Sequence, residues 1–169
     1  GPTEKAIAGE TLAPLGRDEY SLYLKGAGMT STQAEECRQK YVKLAHGEKH
    51  PNKLVRTDGG PEFQGEFSHG LVVDDKIVHE FSHPNKASTN SGIERYVRIA
   101  VEGTKVTLLQ SGFGYEFWLE AFLCFLKNFN IGTLDPDRGV TPWELYRPTY
   151  GPPPKAVPFG ALVYAIDPN

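Results

Sequence analysis

The sequence predicts a mixed α/β fold, a sheet flanked by helices, and three observations carry that expectation. Short β-rich runs occupy the first half, two long stretches of helical periodicity occupy the second, and an aspartate closes one of the β-rich runs.

Taken in order, Lys5 to Ala13 and Tyr20 to Lys25 read as two short strands joined by a turn through Leu15-Gly16-Arg17-Asp18. A capping start at Thr30 or Ser31 leads into a helix over Gln33 to Ala45, where Ala34, Cys37, Tyr41 and Leu44 repeat at helical spacing. Lys53 to Thr57 is a β-rich run stopped by Asp58-Gly59-Gly60-Pro61, which puts Asp58 at a strand's C-terminal end, where α/β folds usually place chemistry. Phe63 to Val73 reads as a short helix and turn, and Lys76 to Phe81 as another strand, followed by a loop through Pro84.

With Asn90 or Ser91 as its cap, a helix is expected to run to about Gln110, carrying Ile93, Val97, Ala100, Val101, Thr104 and Leu108 on one face. Gly112 lies just beyond its end, and Gly112-Phe113-Gly114 separates it from the next helix rather than forming a phosphate loop. Tyr115 to Phe129 is a second helix, whose aromatic residues are spaced to bury two sides in a core or a subunit interface. Thr141-Pro142-Trp143-Glu144 combines a capping box with proline at the first helical position. A proline-rich stretch then reaches a last strand, Ala161 to Ile166. The expected organisation is a remnant of tag removal at residues 1–2, one domain over 3–150, and a linker and strand over 151–169.

Composition narrows the classes. No apolar run approaches the roughly 20 residues needed to cross a bilayer, so no membrane partner is expected. Cys37 and Cys124 are too few and too far apart for a disulfide framework, and none of His46, His50, His69, His79 and His83 pairs with them at zinc-ligand spacing. The histidines are expected on the surface or in loops, and the compartment to be reducing and intracellular. A net charge of −3 gives no general pull toward nucleic acid, so any DNA contact must come from a local basic patch.

Two carboxylates stand out. Asp58 ends a strand, Glu94 falls in the first turn of the long helix, and 35 residues separate them. An aspartate and a glutamate so placed can share divalent ions through hard oxygen ligands, and a pair of Mg²⁺ or Mn²⁺ ions can activate a hydroxyl against a phosphodiester. Spacing alone also admits plain turn chemistry for Asp58 and helix-dipole compensation for Glu94. On the same helix Arg95, Arg98 and Lys105 form a basic ridge beside Glu94, extended by Lys86. Such a ridge would hold phosphates without reading bases, and it could equally be an ordinary solvated face.

The surrounding words resemble a known family. Arg56-Thr57-Asp58-Gly59-Gly60-Pro61-Glu62-Phe63 is similar to the segment around the second acid of retroviral and retrotransposon integrases, and Thr89-Asn90-Ser91-Gly92-Ile93-Glu94-Arg95 to the segment around the third. Phe117-Trp118-Leu119-Glu120-Ala121, Thr141-Pro142-Trp143-Glu144 and Phe159-Gly160-Ala161-Leu162-Val163-Tyr164 follow in the order of the Copia-type pattern. The resemblance implies an RNase H-like catalytic core that trims the 3′ ends of element DNA and joins them to target DNA. It also implies Asp58 and Glu94 as metal ligands, Asn90 and Arg95 flanking the substrate channel, self-association, and residence in the nucleus or a cytoplasmic element particle.

The first acid breaks the pattern. The family carries an aspartate in the middle of its first strand, and Ala6 to Pro14 contains none. Glu10 is the substitute the sequence offers, and Asp18 is a poorer one because it falls in a turn. A first strand lying outside this sequence, or a degenerate core co-opted for DNA binding or assembly, remain as alternatives.

Overall fold

A computed structural model of the chain describes residues 4–46, 53–82 and 87–162, without the side chains of 43–46 and 87–91. Its strands are β1 (Leu15–Arg17), β2 (Leu24–Gly26), β3 (Leu54–Thr57) and β4 (Val78–Phe81). The helices are α1 (Ala34–His46), α2 (Glu66–Val73), α3 (Ala87–Ser111), α4 (Trp118–Gly132) and α5 (Pro142–Tyr146). The expected class holds: this is a mixed α/β protein with small sheets flanked by helices.

The strands form two separate pairs among the described residues, rather than the one sheet expected. β1 and β2 are antiparallel, with Leu15 opposite Gly26, and β3 and β4 are parallel, with Val55 opposite His79. The N-terminal expectation fails for a local reason. Gly9 sits at φ +97°, and the Ala6 and Gly9 amides donate to the carbonyls of Glu10 and Ala6, so this stretch curls into turns. Only Leu12 pairs, in an isolated bridge to Met29. Leu15 to Arg17, read from the sequence as a turn, is strand β1. The true turn is Asp18 to Tyr23, where the Asp18 carboxylate accepts from the Ser21 amide and hydroxyl and Leu22 takes φ +61°.

Two buried clusters hold the elements together. Leu24, Ala100, Leu108, Trp118, Leu119, Ala121, Phe122 and Leu126 join β2, α3 and α4. Met29, Cys37, Val55, Phe67, Leu71 and Ile77 join α1, α2 and the β3–β4 pair. Close approaches lock the first cluster. A methyl group at Gly103 of α3 would strike the ring of Phe125, and methyl groups at Gly26 and Gly28 would strike Phe122 and Leu119 of α4. The buried Asn130 side chain accepts from the Leu24 amide at 2.8 Å and donates to the Leu24 carbonyl at 2.8 Å, stitching β2 to α4.

The other elements follow their local signals. The long helix starts at Ala87, a few residues before the expected cap, and ends where Gly112 adopts φ +75°. Thr141 and Glu144 complete the expected capping box on α5. The proline-rich stretch packs on the domain, because Asn128 donates to the Val157 carbonyl at 3.2 Å and Phe159 packs against Phe113. Of the last expected strand, Ala161 and Leu162 have no strand geometry and the remainder lies outside the described residues, as do Gly1-Pro2, His50, His83 and Lys86.

Candidate metal and nucleic-acid site

β3 delivers Asp58 to the end of the β3–β4 pair, as its sequence punctuation requires. The Asp58 carboxylate is exposed and its Oδ1 accepts from the Gly60 amide at 3.2 Å, an Asx turn that orients the side chain. Gln64 donates to the Gly59 carbonyl at 2.7 Å, which pins the rest of the loop. An open depression of about 530 Å³ lies alongside, lined by Gly59, Gln64, Gly65, Ser68, His69 and Phe81.

His79 supports this strand end, and sequence reasoning misplaced it on the surface. It lies on β4, half-buried, with Nε2 2.8 Å from Thr57 Oγ1, and its ring packs against Phe67 and Phe81. Burial holds its imidazole below the ordinary histidine value, and its Nδ1 is enclosed with no hydrogen-bond partner among the described residues. An imidazole flanked by two rings and bonded to Thr57 is a brace for the residue that precedes Asp58.

Glu94 lies exposed on α3, whose buried residues Ala100 and Leu108 belong to the other cluster. Arg95, Arg98 and Lys105 are also exposed on α3, and none makes an ion pair among the described residues. The backbone of Asn90 is in the first turn of α3, and its side chain lies outside the description. A residue not singled out from the sequence joins this region: the Arg17 guanidinium stacks 4.9 Å over the Tyr96 ring and approaches Gly92. Nothing local in the sequence marked it, because the contact exists only once β1 packs on α3.

Glu10 packs elsewhere than on the β3–β4 pair. Its side chain lies against Gly28, which also meets Leu119, and its Oε2 is buried with no hydrogen-bond partner among the described residues. Among the described residues no three histidine, cysteine or acidic side chains gather as a group able to hold a metal ion, so Glu10, Asp58 and Glu94 do not do so. Asp58 and Glu94 have the hard oxygen donors that Mg²⁺ prefers, and among the described residues no further carboxylate gathers with them. No helix is long and apolar enough to cross a membrane among the described residues.

No family model and no curated protein matches the chain. Solved structures do match. The catalytic core of BIV integrase superposes with a TM-score of 0.65 at 16% identity, covering 81% of this chain and 86% of that one. This chain has the RNase H-like fold of integrase catalytic cores. The HTLV-2 integrase core, solved with magnesium, gives 0.63 at 17% identity over 77% of this chain and 80% of that one. A simian T-cell lymphotropic virus intasome, solved with a PP2A regulatory subunit, gives 0.69 at 18% identity. There the match covers 86% of this integrase-like chain but about half, 52%, of the viral one.

Proposed function

We propose that the chain is an integrase-type core from a retrotransposon polyprotein that holds DNA along α3 and lacks a complete two-metal site of its own. One observation carries the reading: Asp58 and Glu94 stand on elements of two different buried clusters, and among the described residues they form no group with a third acid. The ordered motifs from Arg56 to Tyr164 support the integrase origin. Arg95, Arg98 and Lys105, exposed and without an ion pair among the described residues, support a phosphate-holding role, since such cations can displace counterions from DNA. Self-association, and residence in the nucleus or an element particle, accompany the same reading.

The test is strand transfer on branched DNA in Mg²⁺ and Mn²⁺, run beside salt-dependent duplex binding. No joining is expected, with duplex affinity that falls steeply with salt and drops further in Arg95→Gln and Arg98→Gln. Robust Mg²⁺-dependent joining would overturn the reading. A second reading, an active polynucleotidyl transferase with Glu10 as the third ligand, draws on the buried Oε2 of Glu10, which has no hydrogen-bond partner among the described residues and which a cation would satisfy. It requires Mn²⁺-supported cleavage that disappears in Glu10→Gln as fully as in Asp58→Asn or Glu94→Gln.

A further inference from the structure

Away from the carboxylates, the turn Asp18 to Tyr23, strand β2, the loop after α4 and helix α5 build a surface of alternating rings and cations. Tyr23 and Tyr146 stack with ring centroids 4.4 Å apart and planes 20° from parallel. Lys25 Nζ lies 4.6 Å over the Tyr146 ring. The Arg147 guanidinium lies 5.0 Å from the Trp143 ring, 5.3 Å from Tyr150 and 5.8 Å from Tyr23. At the other end Arg138 sits 4.7 Å over Tyr20 and donates to the Tyr20 carbonyl. Glu19, in the same turn, pairs with Arg56 of β3 at 3.0 Å, so the surface begins next to the strand that carries Asp58.

Stapling α5 to the turn accounts for the inner Tyr23–Tyr146 stack. It does not account for Tyr20 and Tyr150, which are 66% and 58% exposed although each lies under a guanidinium. A ring with a cation on one side and water over most of its surface can take a second flat partner. Arg138 gives one Nη to the Tyr20 carbonyl, and the guanidinium fork carries further N–H donors of the kind that phosphate oxygens accept. The acid nearest Arg138 makes no hydrogen bond to its guanidinium: Asp135 Oδ2 lies 3.7 Å from Nη1, while Oδ1 accepts from the amides of Asp137 and Arg138.

We propose that this surface binds single-stranded nucleic acid, with bases stacked on Tyr20 and Tyr150 and the backbone phosphate between them held by Arg138. An unpaired strand is the partner that fits, because bases within a duplex already cover each other's faces and cannot stack on a side chain. The inference goes beyond the α3 reading, which concerns duplex phosphates, and it needs neither Asp58 nor Glu94.

The experiment titrates the whole chain into fluorescein-labelled oligothymidylate of about 20 nucleotides and, separately, into a duplex of similar length, following anisotropy. The variants are Tyr20→Ala, Tyr150→Ala, Tyr20→Phe, Tyr150→Phe and Arg138→Gln, with Arg98→Gln on α3 as comparison. Each alanine variant should weaken single-strand binding about 5- to 150-fold, the range for loss of one stacked base, with an unchanged melting temperature. Phenylalanine should preserve binding, because it keeps the ring. Arg138→Gln should flatten the salt dependence by about 0.7 in the log–log slope, the value for one phosphate contact on a single strand. Single-strand affinity that survives both alanine substitutions, or falls equally with alanine and phenylalanine, would overturn the proposal. So would alanine losses that match on the duplex. Loss of duplex binding in Arg98→Gln alone bears only on the α3 reading, so the two succeed or fail separately.

Discussion

Asn130 offers the sharpest test of how the fold is held. Its carboxamide takes the place of a neighbouring strand for β2, accepting from the Leu24 amide and donating to the Leu24 carbonyl, both at 2.8 Å. Leu24 and Asn130 are each 2% exposed, so water cannot replace a lost partner without opening the β2–α4 contact. A buried backbone group left unpaired costs about 1 to 3 kcal/mol, and Asn130→Ala orphans two of them. Partial relaxation keeps the expected loss at about 2 to 4 kcal/mol, a shift of roughly 1 to 3 M in the urea midpoint for ordinary slopes. Asn130→Asp separates the bonds from the packing. At neutral pH the introduced carboxylate faces the Leu24 carbonyl and should destabilise as much as alanine, whereas protonation on acidification restores a donor and should recover part of the loss. The assay is urea denaturation followed by tryptophan fluorescence, with hydrogen exchange at the Leu24 amide. A midpoint equal to the parent's in Asn130→Ala would refute the idea that this amide stands in for a strand.

Three further outcomes follow from the same structure. Gly103→Ala gains about 1 kcal/mol of helix propensity but sets a methyl group into the Phe125 ring, so overpacking of about 1 to 3 kcal/mol should leave it neutral to destabilised, and adding Phe125→Leu should restore stability in a thermal melt. Glu36 accepts from the Ser31 hydroxyl foremost and from the Thr30 amide, which lowers its pKa from 4.5 to about 2. Because the folded value lies below the unfolded one, its contribution is complete above pH 4.5 and lost as pH falls toward 2; the melting-temperature gap between the parent and Glu36→Gln should close over that window. His79, held below its usual 6.5 by burial, follows the same sign: it adds an acid-side loss of stability as pH falls below 6.5, and that slope should be missing from urea midpoints of His79→Gln measured between pH 7.5 and 5.

Much of the helical half was legible because its signals are local. Asp58-Gly59-Gly60-Pro61 stops β3 by turn chemistry alone, Gly112 ends α3 because it takes a positive φ, and the Thr141–Glu144 box closes within four residues. The N-terminal third was not legible, because local turns around Gly9 replace the expected first strand and the strand that does form is set by pairing. Leu15 to Arg17 became a strand by pairing with β2, and the turn beyond it rests on Asp18 and on a leucine at positive φ, which no propensity anticipates. The site was half legible for the same reason. Asp58 and Glu94 announce themselves in sequence, whereas the His79 brace and the Arg17 stack arise only when strands and helices meet. The ring and cation surface draws on residues more than a hundred positions apart, such as Tyr23 and Tyr146.

The glycines of β2 and the segment after it carry a consequence for how this chain can diverge. Gly26 meets Phe122 and Leu126, and Gly28 meets Leu119, so the size of three α4 side chains is set by the absence of two others. Any lineage that acquires alanine or serine at 26 or 28 has to shrink a residue at 119, 122 or 126, or let α4 drift outward and break the Asn130 stitch to Leu24. Substitution histories at these positions should therefore be linked in pairs. Among sequences sharing this fold, bulk at 26 and 28 should trade against bulk on the facing helix even where neither position touches nucleic acid or metal.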